Sequence, residues 1–462
     1  MANTYLTKTY STQPTNGKIG TFSFWIKFSG LSAGGDKYIF STYENNNNRT
    51  LCKFNTSGQF EFQTTEGANA GLRYDTNRLF RDTNAWYNII IATDTTQSTA
   101  ANRVKIYVNG VQETSFATAN NPAQNLVPHF LYGGIQKWIG VYGASGGTNW
   151  DGLMSHVSYI DGTQELPTIF GETDSTTGEW KIKTNIVPSS GWGTNGYWIL
   201  KDGNTGTDSS SNSNNWTVGG GTGIISKTED CPSNVFNTFN PLDDYYEAGT
   251  FFNGNTTYQT GTASNKYGRN TSTLGMTSGK FYWEVKPVSV NTSIDYYPVI
   301  GITASQITGS QDYVGKAATD YSWSTNQDGS STVKYNNNND TAWGNHFALN
   351  SIVGVAVDLD NNKIYFSKDG VWQESGDPTS GSTGTGAAFT ITSASSTPLG
   401  AYFPSLSNYD GTGYVKFEAN FGNGYFGSTQ ISSAGTNASG IGIFEYAVPT
   451  GYTALSTKGL NL

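Results

Sequence analysis

The chain has 462 residues, of which 56 are Gly, 14% are aromatic and only 13% are charged, and its formal net charge is −9. An acidic chain without a run of Lys and Arg is not built to wrap a nucleic-acid backbone, and no apolar stretch reaches the ~20 residues of a membrane-spanning helix. The length allows about three average domains, or two large β-domains and a connector.

Residues 1–20 are polar, with Tyr5, Leu6 and Tyr10 as possible anchors, and lack the charged-then-apolar layout of a signal peptide. The expectation is synthesis without classical secretion, with residues 1–20 as an anchoring segment. Thr21–Ser29 alternates Phe22, Phe24, Ile26 and Phe28 on one face, which predicts a half-buried strand. Further strands are expected at Lys37–Thr42 and Leu51–Asn55, separated by a loop at Glu44–Arg49, and at Gln59–Gln63 and Ala85–Thr93. In Arg103–Val111, alternating Val104, Ile106 and Val108 precede Asn109-Gly110, a tight-turn pair. Lys137–Tyr142 and Gly152–Ile160 complete the first set. Residues 171–269 carry little periodicity but many Asn, Gly and Trp, including Trp180, Trp192, Trp198 and Trp216, and read as an irregular connector. Without regular strands, such a segment needs large side chains to dock on its neighbours.

Strands return at Lys280–Lys286, Tyr297–Thr303, Ser322–Asn326 and Val333–Asn336. The run Ile352–Leu359 is almost wholly apolar, as in a strand buried on both faces. Asp360-Asn361-Asn362 turns the chain, Lys363–Lys368 alternates, and Asp369-Gly370 turns it again before Val371 and Trp372. Tyr402–Leu406 and Tyr414–Phe421 follow, and the tail carries Phe444, Tyr446, Pro449, Gly451 and Leu455 as packing and turn residues. Short aromatic strands between Gly/Asn/Ser turns define an all-β class, with two antiparallel β-sandwiches joined by the connector.

Two resemblances accompany this reading. The order FSFWIKF, KYIFST, AWYNIIIATD, RVKIYVNG, WIGVYG, WDGLMSHVSYIDG resembles the concanavalin A-like lectin/glucanase jelly roll, laminin-G-like branch, over about residues 15–170. The order GKFYWEV, VIGIT, VGVAVDLDNNKIYFSKDGVW, AYFPSLS, VKFEANFG resembles a SPRY domain over about 270–425. FGETD, GTNGYWILKD, SNNWTV and DCPSNVFNTFNPL resemble a connector in tail and other virion proteins of marine bacteriophages, and IFEYAVPTGYTALST resembles the end of such proteins. The implied organisation is an anchor at 1–20, a laminin-G-like sandwich at 21–170, a connector at 171–269, a SPRY-like sandwich at 270–425, and a tail at 426–462 packed on it.

The chemistry points to binding. A glucanase of this class carries two carboxylates at alternate positions on one strand. Here Glu61 has no second acid in register within its strand, and Asp151 and Asp161 lie too far apart in sequence. His129, His156 and His346 lack zinc-site spacing. No Gly-x-Ser-x-Gly elbow supports a Ser nucleophile, and the glycine runs GASGG and GGGTG lack the Lys-Ser/Thr of a phosphate loop. No catalytic residue, metal or cofactor is therefore assigned. The laminin-G resemblance implies Ca²⁺ as an optional ligand, with Asp75, Asp94 and Asp151 as candidates by loop position, against their plainer role as turn formers. Cys52 and Cys231 are read as two reduced thiols.

Sugar sites on sandwiches stack aromatic rings on the pyranose face beside amides and acids. The candidates are Trp150 with Asp151, Tyr321 with Trp323, and Trp343 with Asn345 and His346; for Trp343 core and surface placements are both open, while Trp283 is assigned to the core. Together with the resemblances, this implies a non-enzymatic virion protein: a tail fibre, receptor-binding protein or capsid decoration. Its expected partners are host-surface glycan or receptor and other virion proteins, and its expected state is a homo-oligomer, with a trimer as first guess. The expected location is the phage particle, extracellular after release. A glycan depolymerase and a cellular lectin-like adhesin are the alternatives.

Overall fold

The computed structural model describes residues 4–29, 35–67, 69–143, 149–201, 206–220, 226–243, 248–261, 266–290, 297–326, 329–410 and 414–461. Most of the GASGG and GGGTG runs, and Gln327–Asp328 in the loop after Trp323, lie outside them. The chain divides into two units, Met1–Lys227 and Thr228–Leu462. The boundary falls inside the stretch expected to be a connector: its first part belongs to the first unit and its second part to the second.

In the first unit, eight antiparallel strands lie in the order Phe116–Asn120, Asn69–Leu79, Gln59–Glu66, Asn48–Phe54, Lys37–Asn45, Lys137–Ile139, Tyr5–Lys8, Thr217–Gly219. A second sheet runs Tyr197–Ile199, Gly152–Asp161, Ile19–Phe28, Tyr87–Asp94, Val104–Val108, Val111–Gln112. The alternation seen in sequence does the folding. Phe22, Phe24, Ile26 and Phe28 face Phe40, Phe54, Phe60, Phe62 and Leu72 of the other sheet across one apolar core. Each such aromatic contributes about 1.5–3 kcal/mol on burial.

From Tyr5 on, the segment expected as an anchor is built into the first sandwich. Tyr5–Lys8 is an inner strand, paired on one side with Lys137–Ile139 and on the other with Thr217–Gly219, and Leu6 and Tyr10 enter the core. The loop expected at Glu44–Arg49 is a tight turn, because the flanking strands run on to Asn45 and start again at Asn48. The strands Asn69–Leu79 and Phe116–Asn120 were not legible in sequence. The first has a polar outer face, and only Leu72 and Tyr74 point strongly inward.

The outer face of the six-stranded sheet is covered as well. Ile90, Ala92, Tyr107 and Ile160 meet Phe170, Ile186 and Trp198 from the following segment, forming a second, smaller core. Trp180 lies on the Asn109-Gly110 turn and donates from Nε1 to Asn88 Oδ1 at 3.1 Å. The connector tryptophans are thus packing groups, as their size suggested.

In the second unit, one sheet runs Thr250–Phe252, Thr257–Gln259, Val415–Asn420, Lys280–Val290, Val353–Asp358, Lys363–Lys368, Val371–Trp372. Thr453–Ala454 pairs in parallel with Lys280–Val290, and Phe389–Thr390 pairs with Lys363–Lys368. The facing sheet runs Lys266–Thr271, Phe403–Asp410, Tyr297–Thr303, Asp320–Thr325, Thr332–Asn336, Asn339–Ala342. Val353–Asp358 is buried throughout, as its almost wholly apolar run predicts. Val355 and Val357 join the inter-sheet core with Trp283, Phe366 and Trp323. Ala356, Tyr365 and Tyr282 face the other way, into a second core closed by Phe444, Val448 and Tyr452 of the tail.

Both turns of the central hairpin use the expected residues, with Asn362 at φ 55°, Asp369 at 48° and Gly370 at 80°. The stretch YNNNND, read as loop, is instead a hairpin: Asn337 and Asn338 take φ 54° and 59° and turn Thr332–Asn336 back into Asn339–Ala342. Both units are therefore all-β sandwiches, each with one sheet back covered by a later segment. Among the described residues no helix is long and apolar enough to cross a membrane.

Candidate functional site

Trp343 follows the edge strand Asn339–Ala342. Its backbone N–H is held by Thr332 O at 3.0 Å, which turns the indole toward the inter-sheet side. The ring packs on Trp323 at 5.6 Å and on Phe366 at 6.0 Å and is half-buried as a whole. Lys334 faces the same side, with its Nζ 5.9 Å from the Trp343 ring centre and hydrogen-bonded to Ala388 O at 2.7 Å. Burial lowers the Lys334 pKa, and Glu374 opposes that shift.

Gly344 turns the chain at φ 71°, and the next residues are then fixed from the neighbouring segment. Gln373 Oε1 accepts both the backbone N–H of Asn345 at 2.8 Å and its amide Nδ2 at 3.1 Å. Glu374 Oε1 accepts from Gly344 N at 3.3 Å. Glu374 and Ser375 both sit at positive φ, 51° and 55°, without being Gly. Two strained residues in succession persist only where their surroundings impose them, and such strain concentrates at functional loops. His346 is half-buried, and its Nε2 lies 3.1 Å from Asn326 O.

The result is a partly exposed indole flanked by an ammonium and a carboxylate that bond backbone groups and by an amide held by the Gln373 side chain. That set can stack on an apolar sugar face and hydrogen-bond its hydroxyls. The positions of Gln373, Glu374 and Lys334 were not legible in sequence, since Lys334 reaches the site from the paired strand Thr332–Asn336 and the other two from the helical turn Gln373–Ser375.

The remaining candidates are placed differently. Tyr321 and Trp323, expected to contact a sugar, lie on the strand Asp320–Thr325 and are 5% and 0% exposed. The two-residue repeat sends both into the inter-sheet core, where Trp323 packs on Phe347 at 4.7 Å and Tyr321 on Phe389 at 5.3 Å. Neither can meet a ligand. Trp150 is half-buried but packs on Phe28 at 5.3 Å and Phe54 at 6.3 Å, so much of its ring belongs to the first unit's core. Asp151 pairs with Lys37 at 3.4 Å and its carbonyl accepts from Ser29 N. Within the second unit the structure brings Trp343, Asn345 and His346 together, with Trp323 buried beneath the Trp343 ring.

The calcium candidates have their own partners. Asp75 pairs with Arg73 at 2.8 Å. Burial raises the Asp94 pKa, but hydrogen bonds from Thr96 and Gln97 outweigh it and hold the carboxyl below its ordinary range. Among the described residues no three His, Cys, Asp or Glu converge as a metal would require. His129 is fully buried, with Nδ1 2.6 Å from Thr42 Oγ1, and His156 sits in a bulge of Gly152–Asp161 at φ 47° beside Ser155 Oγ. Both cysteines are free thiols, and burial pushes that of Cys52 well up.

Glu61 does meet a second acid, but from another strand. Asp75 lies directly opposite it on the outer face of the eight-stranded sheet. Lys53 binds Glu61 at 3.0 Å and Arg73 binds Asp75, so both carboxylates are engaged in ion pairs. A glycosidase acid needs the opposite setting, apolar and without a cation.

Residues 2–169 match the family described as Concanavalin A-like lectin/glucanases superfamily, the Laminin_G_3 model. The concanavalin-like character of the first sandwich is thereby shown, from residue 2, in keeping with the inner strand Tyr5–Lys8. The chain is also similar to the SPRY domain of human HERC1, with 17% identity over 39% of this chain and 96% of that one and a TM-score of 0.28. A candidate carbohydrate binding protein from Bacteroides ovatus aligns at 16% identity over 50% of this chain and 59% of its own, TM-score 0.33. Stonustoxin aligns at 14% identity over 40% of this chain and 27% of its own, TM-score 0.27. Identities and scores at this level imply no shared activity. No curated protein sequence matches the chain.

Proposed function

We propose that the chain is a non-enzymatic binding protein of a bacteriophage particle, a tail fibre, receptor-binding protein or capsid decoration. It presents loops of β-sandwiches to host-surface glycans or to other virion subunits. The observation that carries the binding reading is the Trp343 cluster: a half-buried indole flanked by Lys334, Glu374 and Asn345 beside a strained, hydrogen-bonded loop. The lectin-like family match of the first sandwich supports the same role. The phage assignment rests on the sequence resemblance of the middle segment and tail, and on the pairing of a concanavalin-like with a SPRY-like domain.

Trp343→Ala tests the site. Its ring is partly exposed, so the variant folds; retention on immobilised glycans that bind the wild type falls at least about tenfold, as for an aromatic anchor. Unchanged retention on every such glycan refutes the site. Incubation with host polysaccharide produces no new reducing ends if the reading is right, and their appearance would establish the depolymerase instead. Antibody labelling of phage particles under the electron microscope tests the location. A shallow sugar contact is weak, and linked copies gain about 10²–10⁴ in avidity. The expected state is thus a homo-oligomer, a trimer first, and a full-length protein that scatters light as a monomer contradicts it.

A further inference from the structure

The Trp343 cluster occupies only one side of the hairpin Thr332–Ala342. On the strand Thr332–Asn336, Lys334 faces the core side and Tyr335, by alternation, faces out. The outer side of this sheet is crossed by the segment 305–319. Val314 is pinned there, with its N–H on Ser407 Oγ at 3.2 Å and its carbonyl accepting from Ser322 Oγ at 2.5 Å. Asp320, fully buried, accepts from Gly315 N and Ala317 N, while Arg269 binds both Asp320 and the Tyr313 carbonyl.

This polar network fixes the backbone of the segment without help from the Tyr313 ring. The ring instead stands half-buried between two others. It stacks on Tyr267 at 4.9 Å with 27° between the planes, and meets Tyr335 edge-on at 5.3 Å. The Asn337-Asn338 turn brings amides to the same place, and the Tyr313 hydroxyl donates to Asn338 Oδ1 at 3.3 Å. Asp340 is the cross-strand partner of Tyr335. Burial pushes the Tyr335 phenol up to about 12, so it stays a neutral donor.

The charges around the rings decide the ligand class. Among the described side chains, the nearby cations Arg269 and Lys316 are already paired, with Asp320 at 3.4 Å and with Asp312 at 2.7 Å. With Asp340 at the rim, the patch suits a ligand without negative charge. Ring faces, phenol hydroxyls and amides are the groups that contact uncharged sugars. We propose that Tyr267, Tyr313 and Tyr335, with Asn338 and Asp340, form a second saccharide contact, for a neutral glycan, on the opposite face of the hairpin from Trp343. This rests on the glycan-binding reading above. It makes a single hairpin a two-sided contact, whose weak halves reinforce each other on a polysaccharide.

The test uses the full-length chain and four variants, Tyr313→Ala, Tyr313→Phe, Trp343→Ala and the Tyr313→Ala/Trp343→Ala double. Retention is measured on immobilised neutral polysaccharides (a β-glucan, an α-glucan, chitin) and on a polyuronate, with near-ultraviolet circular dichroism as the check on folding. Each Ala variant is expected to weaken retention on a neutral polymer at least about tenfold, the double to abolish it, and Tyr313→Phe, which keeps the ring, to stay within about twofold. Should Tyr313→Ala disturb the fold, Tyr267→Ala replaces it. Full retention by folded Tyr313→Ala, with loss in Trp343→Ala, overturns this proposal and leaves the Trp343 site standing. Loss in Tyr313→Ala alone supports this patch and removes the Trp343 site. Wild-type retention on no polymer, or only on the polyuronate, overturns the patch as a neutral-glycan contact.

Discussion

Single side chains in the second unit set the strongest tests. Trp283 packs between the sheets at 1% exposure, and Phe366 shares that core with Trp323 and Trp343. Trp283→Ala and Phe366→Ala each cost about 3–5 kcal/mol in urea unfolding, as large buried aromatics do. Lys368, beside a turn, costs little when changed. Stability unaltered in Trp283→Ala would contradict the packing. Glu284 gives a pH-dependent counterpart. It is fully buried, and accepts from Tyr446 N at 2.8 Å, Glu445 N at 3.0 Å, Asn420 Nδ2 at 3.1 Å and Tyr282 OH at 3.1 Å. Burial pushes its pKa up to about 7 despite those donors. The folded state therefore holds a proton that the unfolded state releases at an ordinary carboxylate pH. The stabilisation is full below that range and is lost as pH rises through about 7, on the order of 3 kcal/mol. Glu284→Gln should flatten the stability difference between pH 5 and pH 8; a slope equal to the wild type's would show that Glu284 does not carry it.

Among the elements, the hairpin at Asn109-Gly110 shows why a turn residue can matter beyond its turn. Gly110 sits at φ 77°, and a Cβ there would meet Trp180 at 2.4 Å. Gly110→Ala therefore strains the backbone and displaces the indole that covers the turn, for about 1–3 kcal/mol. In a double-mutant cycle with Trp180→Ala, part of that cost disappears, because the clash is gone while the backbone strain remains. Strict additivity would mean that Trp180 does not rest on the turn.

For the whole molecule, the division at Lys227/Thr228 changes what counts as a folding unit. A fragment of residues 1–170 loses the strands Tyr197–Ile199 and Thr217–Gly219 and bares Ile90, Ala92, Tyr107 and Ile160. Residues 1–227 should melt cooperatively, whereas 1–170 should melt lower and bind a hydrophobic dye. Equal melting of the two would undo the role given to the covering segment. The Asn/Ser-rich stretch near Asp208–Asn214 is itself tied down, with Asp208 accepting from Trp198 N, Ser210 and Asn214, and Asn212 donating to Gly193 O and Gly196 O. Proteases should cut it slowly.

Local pattern alone determined the all-β class, the strands with strong alternation or unbroken apolar runs, and the Asn-Gly and Asp-Gly turns. Each of those signals is carried by neighbours in the chain, through the two-residue repeat and the left-handed tolerance of Asn, Asp and Gly. The same repeat could have placed Tyr321 and Trp323 inside, had Ser322 and Ser324 been read as the outer face of one strand. Other features needed the fold. Asp75 meets Glu61 only through the register of neighbouring strands, and Gln373 meets Asn345 and Tyr267 meets Tyr313 only across separate segments of the fold. The polar strand Asn69–Leu79 was recognisable only from its partners, and the covering segments only from the apolar sheet backs they bury. Register and cross-strand pairing are decided by burying both sheet faces at once, a condition that no local stretch of sequence contains.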